Sequence, residues 1–419
     1  MKRTKKLLSA LLISMVAVMM FPAVSYGAAT ETSDDGNWTI LADYNKNTCT
    51  IIKYHGSAAN LSIPSKIDGL KVTSIQMAYQ CGRYDWNNYD HREAITSITI
   101  PSTVTSIGDA SFCNLPNLKS VKIPSSVKTI GHTLFNSCTS LTEFTLPSQF
   151  TEIPYDMFSG CTSLSKVTLH SKLKTIGHDA FSKCTSLKTI TLPSSLKTIN
   201  FNAFAFSGLE KISIPNSVTT TDYGGLFYGC ENLTSVKLST GMTSIPSQCF
   251  TDCKSLKTIT IPANYTSVGR SAFSGCDNLT TVVCRSNLEI NDFQTAISPS
   301  KILTIYSPSS ASKVQTYCSN KGIRWKSLNP PTLTSKTRTT TAATLKWKAV
   351  SGATGYKVYK KTGTGSYKLV KTTTSTSYKA TGLKKGTTYR FYVTTLKKDD
   401  LNQTIESKGS TVYKTYLKK

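Results

Sequence analysis

The chain has 419 residues, 49 Lys and Arg against 23 Asp and Glu, twelve cysteines and an apolar content of 39%. At roughly 100–200 residues per domain, that length implies two to four domains with room for a sizeable core. Beyond the leader no stretch reaches the ~18 consecutive apolar residues of a spanning helix, and the composition excludes collagen and coiled coil. Charged residues make up only 17% and Ser and Thr are abundant, the balance of a β-rich extracellular protein.

The first element is a leader. Lys2, Arg3, Lys5 and Lys6 precede an apolar run from Leu7 to Phe21, followed by Pro22 and the small residues of Ser25–Ala29. This pattern predicts a secretory signal peptide over 1–29, with cleavage after Gly27 or after Ala29. No Cys stands at either point, and Tyr413–Lys419 carries neither a hydrophobic tail nor a sorting pentapeptide. The mature protein is expected to be secreted, with no transmembrane segment after cleavage and no covalent tether.

A repeat follows. Phe112, Phe135, Phe158, Phe181, Phe204, Phe227, Phe250 and Phe273 stand 23 residues apart without a slip. Cys138, Cys161, Cys184, Cys230, Cys253 and Cys276 each follow a Phe by three residues, and a Leu commonly follows by six. Val121 and Ile123 alternate with polar residues, which predicts a short strand with one buried face. Pro124 and its equivalents end that strand because proline cannot donate to the next ladder bond. No single unit can bury its apolar face alone, so neighbouring units must stack into a parallel solenoid. One coil loses a residue before Leu209 and the next regains it near Thr219–Asp222, yet the Phe register survives.

The run Ile123-Pro-Ser-x-Val127-x-x-Ile130-Gly131-x-x-x-Phe135-x-x-Cys138-x-x-Leu141 resembles the BspA-type leucine-rich repeat family of bacterial surface proteins. The resemblance implies a solenoid over 61–283. It also implies an N-terminal β cap over 30–60, around Trp38–Tyr54, and a closing cap over 284–326 with a helix near Ser309–Asn320. An aromatic insertion, Arg83–Tyr89, is expected as a loop on the first coil, and Tyr84, Trp86 and Tyr89 are candidate ligand contacts because no repeat position demands them, the alternative being that they fold back over that coil as part of its cap. Lys122, Lys166 and Lys237 are further candidates, pointing outward from the strands.

Asn329-Pro330-Pro331 marks a stiff linker, assigned to 327–331. Beyond it, short β-branched and aromatic strands alternate with Gly- or Thr-rich turns, as in a β-sandwich. Trp347, Gly355–Tyr359, and Leu383 with Tyr389 resemble a fibronectin type III domain over 332–419, Leu383 and Tyr389 matching its tyrosine corner. From Pro330 onward nineteen Lys and Arg face only Asp399, Asp400 and Glu406. Lys357, Lys360, Lys361, Lys384, Lys385, Lys397 and Lys398 are candidate contacts for polyanions. The expected fold class is mainly β, a leucine-rich repeat solenoid followed by a fibronectin type III-like sandwich.

Catalytic chemistry finds little footing. The six repeat cysteines should stack as a ladder, and parallel side chains keep their Cβ atoms too far apart for ready bridging; buried thiols are expected, a bridged ladder being the alternative. His132 and His178 are two coils apart, too far to share a metal. His91 with Asp85, Asp90 and Glu93 is the one acidic–imidazole cluster, read as a solvated loop. No nucleophile elbow, zinc motif or phosphate loop appears, so no catalytic residue, cofactor or metal is expected. The reading is a secreted or cell-surface, non-catalytic adhesion protein with a protein or glycan ligand and anionic cell-wall polymers as a second partner. Nucleic acid is set aside for want of a motif. The alternative is an extracellular polysaccharide-acting protein with an accessory fibronectin-like domain, which would need two facing carboxylates.

Overall fold

The computed structural model describes residues 28–77, 90–221, 224–290, 303–399 and 404–417. The chain divides into two compact units, Met1–Cys230 and Glu231–Lys419. The division falls inside the repeats, so each unit carries its own set of coils. The structure is mainly β.

In the first unit, Ala28–Thr32, Trp38–Asp43 and Thr48–Tyr54 form an antiparallel cap. Thr48–Tyr54 then pairs in parallel with Leu70–Ile75, which starts one of two parallel ribbons. That ribbon continues through Ser106–Ile107 and Thr129–Ile130, and resumes as Glu152–Ile153, Thr175–Ile176 and Thr198–Ile199. The other ribbon holds Asn60–Ser62, Ser97–Thr99 and Ser120–Lys122, and then Glu143–Thr145 paired with Lys166–Thr168. Thr129 pairs with Ser106 and Lys166 with Glu143, so one sequence repeat is one coil.

The interior is a column of rings. Phe112, Phe135, Phe158, Phe181, Phe204 and Phe227 are fully buried, and successive centroids lie 5.4–5.9 Å apart with interplanar angles of 7–19°. Burial of one such ring contributes about 1.5–3 kcal/mol, so the column is a main stabilising element of the unit. The shortened coil shows its priority. Thr189 meets Lys211 and Thr198 meets Thr220 only as isolated bridges, whereas the Phe181–Phe204–Phe227 stack is unbroken. Gly208 closes the shortened turn, where an added Cβ would collide with the carbonyl oxygen of Thr185.

The turn that carries each Phe has a regularity of its own. The residues two before and two after the Phe have positive φ: Ala110 and Asn114, Thr133 and Ser137, Asp156 and Gly160, Asp179 and Lys183, Asn202 and Phe206. This alternation aims three backbone N–H groups along the stack. Thr133, Phe135 and Ser137 donate to the carbonyls of Tyr155, Met157 and Ser159 at 2.8–2.9 Å. Left-handed conformation costs a non-glycine residue roughly 1–2 kcal/mol, and these inter-coil bonds offset it.

In the second unit, Thr258–Ile261, Thr281–Cys284, Thr304–Ser307 and Arg324–Ser327 form a parallel sheet. Ser244–Ile245, Ser267–Val268 and Glu289–Ile290 form the companion ribbon. Phe250 and Phe273 stack at 5.5 Å. The helix is Ser312–Lys321, ended by Gly322 at φ 64°, a conformation glycine adopts without strain. The tail is a sandwich. One sheet contains Leu333–Arg338, Ala343–Trp347 and Ser377–Ala380, the other Lys368–Thr373, Gly355–Thr362 and Thr388–Lys398. Thr404–Glu406 and Tyr413–Tyr416 pair with the two ends of Thr388–Lys398. Trp347, Tyr356, Val358, Leu383, Tyr389 and Phe391 fill its core. The tyrosine corner is formed, the Tyr389 hydroxyl accepting the Lys384 backbone N–H at 2.9 Å.

Candidate functional site

The strand period of two sets the outward face of the first unit's coils. Thr99, Ser120, Lys122, Glu143, Thr145, Lys166 and Thr168 are exposed, while Ile98 and Phe144 between them are buried. Ladder register brings Thr99 beside Lys122 and Thr145 beside Thr168. Lys166 meets Glu143 at 3.2 Å, both side chains largely in solvent, where such a pair contributes little. Lys122 and Lys166 therefore belong to one face of the first unit, and Lys237 is exposed on a strand of the second. The result is a polar, mixed-charge face held rigidly by the coils.

Tyr84, Trp86 and Tyr89 lie outside the described residues. The exit of their insertion is described, and it is pinned to the cap. Asp90 donates its N–H to the Tyr54 carbonyl at 3.2 Å. Its carboxylate takes Lys53 Nζ and His55 Nδ1, each at 2.7 Å. His55 Nε2 in turn lies 2.7 Å from Thr39 Oγ1. The imidazole partner of Asp90 is thus His55, not the neighbouring His91 named from the sequence. The bonds from Lys53 and His55 hold the Asp90 carboxyl below its ordinary range. Thr39 and Lys53 sit on paired cap strands and His55 directly follows the second of them, so the cap brings Lys53 and His55 to Asp90 from 37 and 35 positions away. Their chemistry is anchoring, since each contact fixes the loop's exit.

The tail lysines divide by use. Lys357 pairs with Glu406 at 3.0 Å and Lys397 donates to the Ser327 carbonyl at 3.1 Å, so both have structural partners. Lys360 lies over the Tyr389 ring at 5.7 Å and Lys361 over Tyr367 at 5.9 Å. Lys384, Lys385 and Lys398 are exposed.

Within the second unit the sandwich closes part of the repeat's outward face. Thr281, Val283, Thr304 and Tyr306 occupy positions that elsewhere are exposed, yet all four are buried. Val283, Tyr306 and Leu328 cluster with Ile405 of the sandwich. Thr281 donates to Asp399 at 3.1 Å, and Arg285 donates to the Glu406 carbonyl at 3.2 Å. Beside this seam the Glu406 carboxylate accepts from Thr394, Lys357 and Tyr359 at 2.7–3.0 Å. Burial alone would raise that carboxyl, but the three donors outweigh it and hold it below its ordinary value. Leu328, in the expected linker, is itself buried in the seam.

No helix among the described residues is long and apolar enough to cross a membrane. The BspA type leucine rich repeat region matches in six copies over residues 86–208 and 197–323, and the fibronectin type III domain over 328–408. No curated protein shows significant similarity to the chain. Among solved structures, a leucine rich cell surface protein from Faecalibacterium prausnitzii A2-165 is 25% identical, covering 71% of this chain and 97% of that one with a TM-score of 0.34. A leucine-rich repeat protein from Bacteroides ovatus ATCC 8483 is 20% identical, covering 74% and 100% with a TM-score of 0.36. An Fn3-like protein from Clostridium thermocellum is 30% identical over 21% of this chain and 93% of its own, with a TM-score of 0.18. With the repeat model spanning more than half of its length, the chain belongs to the BspA-type leucine-rich repeat family and carries a fibronectin type III domain behind its repeats.

Proposed function

We propose that the protein is a secreted, non-catalytic binding protein of the bacterial cell surface whose ligand is a protein held on the strand face of the first unit. The observation that carries this reading is the face itself: seven outward residues from Thr99 to Thr168 are exposed, in register within two parallel ladders, with Ile98 and Phe144 buried behind them. Rigid presentation lowers the ordering cost of binding, which is what a repeat scaffold contributes. Membership of a family of bacterial surface proteins supports the location. Adhesion is the role that fits a secreted scaffold with such a face. The test is capture of extracellular matrix proteins by the immobilised full chain. Lys122→Glu with Lys166→Glu should abolish capture without altering the melting curve; unchanged capture would remove this face as the contact.

The tail supplies a second contact in the same reading. Lys360, Lys361, Lys384, Lys385 and Lys398 give a positive field that attracts anionic wall polymers. Adsorption of the full chain to purified anionic wall should weaken as the Debye length falls from about 10 Å at 0.1 M salt to about 3 Å at 1 M. Adsorption indifferent to salt, or to Lys384→Glu with Lys385→Glu, would leave the lysines as a solubility device.

A further inference from the structure

The position three before each ladder Phe holds a ring in four successive coils: His132, Tyr155, His178 and Phe201. Their centroids run 5.8, 6.4 and 6.4 Å apart, at interplanar angles of 65°, 73° and 51°. His132 is exposed, Tyr155 is 40% exposed, and His178 and Phe201 are half-buried. The fold does not require rings here, because Asp109 occupies the same position one coil earlier.

Carboxylates line the row. Asp109 Oδ1 accepts the His132 backbone N–H at 2.7 Å, which places that carboxylate beside the residue that carries the first ring. Asp156 and Asp179 follow Tyr155 and His178 directly, at the left-handed positions of their turns. Burial raises both carboxyls, and Asp156 adds to the rise at Asp179, while Lys183 acts on both and His178 on Asp179 in the opposite direction. In a chain of net charge +26, three acids beside four rings form a local exception.

We propose that this row binds an extended basic peptide lying along the stack, with Arg or Lys at alternate residues over successive rings. Two observations select that occupant. An extended chain advances about 6.2–6.8 Å per two residues, close to the ring spacing of 5.8–6.4 Å. A guanidinium stacks on an aromatic face while its edge still donates to a carboxylate, so rings and acids are used together. An anionic chain would meet the carboxylates, and a neutral one would leave them unused. The proposal rests on the protein-ligand reading above but uses a different edge of the coil.

The experiment is a fluorescence anisotropy titration of the full chain with a labelled eight-residue peptide of alternating Arg and Ser. A peptide of the same composition with four Arg followed by four Ser is the comparator, and a neutral hexose oligomer the third probe. The alternating peptide should bind, the blocked one about five-fold more weakly, and Tyr155→Ala or Asp179→Asn should each weaken the first by about five-fold. Lys122→Glu with Lys166→Glu should leave peptide binding in place, so that failure of the strand-face reading and failure of this one are separate results. Melting curves of each variant confirm folding, and Asp156→Asn replaces any variant that does not fold. Equal affinity for both peptides overturns the register argument. Binding of the hexose oligomer, lost in Tyr155→Ala, overturns the proposal in favour of a glycan.

Discussion

The thiol of Cys161 donates to the carbonyl oxygen of Phe135, 26 residues earlier, across 3.0 Å. The same bond recurs from Cys138 to Phe112, Cys184 to Phe158, Cys230 to Phe204 and Cys276 to Phe250, at 3.0–3.1 Å. The ladder is therefore a set of inter-coil hydrogen bonds made by buried thiols. The Phe135 carbonyl also accepts the Cys138 N–H at 3.1 Å, so removing the thiol leaves it partly satisfied. Cys161→Ala should cost about 0.5–1.5 kcal/mol, and Cys161→Ser less, because a hydroxyl keeps a donor at this position. Urea melts of the two variants give the ranking, and Ala above Ser would mean that burying the hydroxyl costs more than its hydrogen bond returns. Burial pushes the thiols up, Cys230 to about 11 and Cys276 to about 12. The ladder should stay unreactive to a thiol reagent until the protein is denatured.

Phe181 stacks between Phe158 at 5.5 Å and Phe204 at 5.4 Å and is fully buried. Phe181→Ala opens a cavity in the middle of the column and should destabilise the protein by about 3–5 kcal/mol. A melting temperature within a degree of the parent would contradict the role given to the column.

Lys183 is exposed yet holds φ at 60°. Glycine adopts that conformation without the Cβ conflict, although it loses more chain entropy on folding. The net expectation for Lys183→Gly is stabilisation by about 0.5–1 kcal/mol, measured by urea denaturation. Destabilisation would show that the Lys183 side chain contributes more than its backbone strain costs.

These turns were the least legible part of the sequence. The Phe, Cys and Leu spacing is visible because core identity repeats, and it defines the coil. Several left-handed positions are filled by Ala110, Thr133, Lys183 and Phe206, residues that disfavour positive φ, so Gly160, Gly225, Gly229, Gly275 and the scattered Asn and Asp do not form a readable pattern. The bond from Asp90 to His55 joins the exit of the insertion to the end of the cap 35 residues earlier, a relationship that no local window contains. The seat of the sandwich did leave a trace. Val283 and Tyr306 put apolar groups where the earlier strands have Thr99, Thr145 and Thr168, a break in the polar alternation that marks a covered face.

Ala28–Thr32 pairs along its whole length with Trp38–Asp43. Cleavage after Gly27 keeps all five residues of that strand, whereas cleavage after Ala29 removes two of its ladder positions. Mass spectrometry of protein recovered from the culture medium should give Ala28 as the first residue. A mature chain starting at Thr30 would show that the first two pairs are dispensable.

Glu406 offers a test of the seam through pH. Its carboxyl is held below the ordinary value by Thr394, Lys357 and Tyr359, against the opposing effect of burial. A group depressed on folding stabilises the protein above its unfolded value, about 4.3 for Glu, and that contribution disappears as pH falls through the lower folded value. Glu406→Gln keeps the shape but removes the charge. The variant should therefore be less stable than the parent at pH 7, and the difference should narrow below about pH 4, as the parent's own carboxylate becomes protonated. Because Glu406 lies beside Ile405, which packs on Val283 and Tyr306, the loss should also appear as easier proteolysis at the seam. A stability gap that stays constant from pH 7 to pH 3 would mean that the charge of Glu406 is not what holds the seam, leaving the apolar cluster of Val283, Tyr306, Leu328 and Ile405 as its main support.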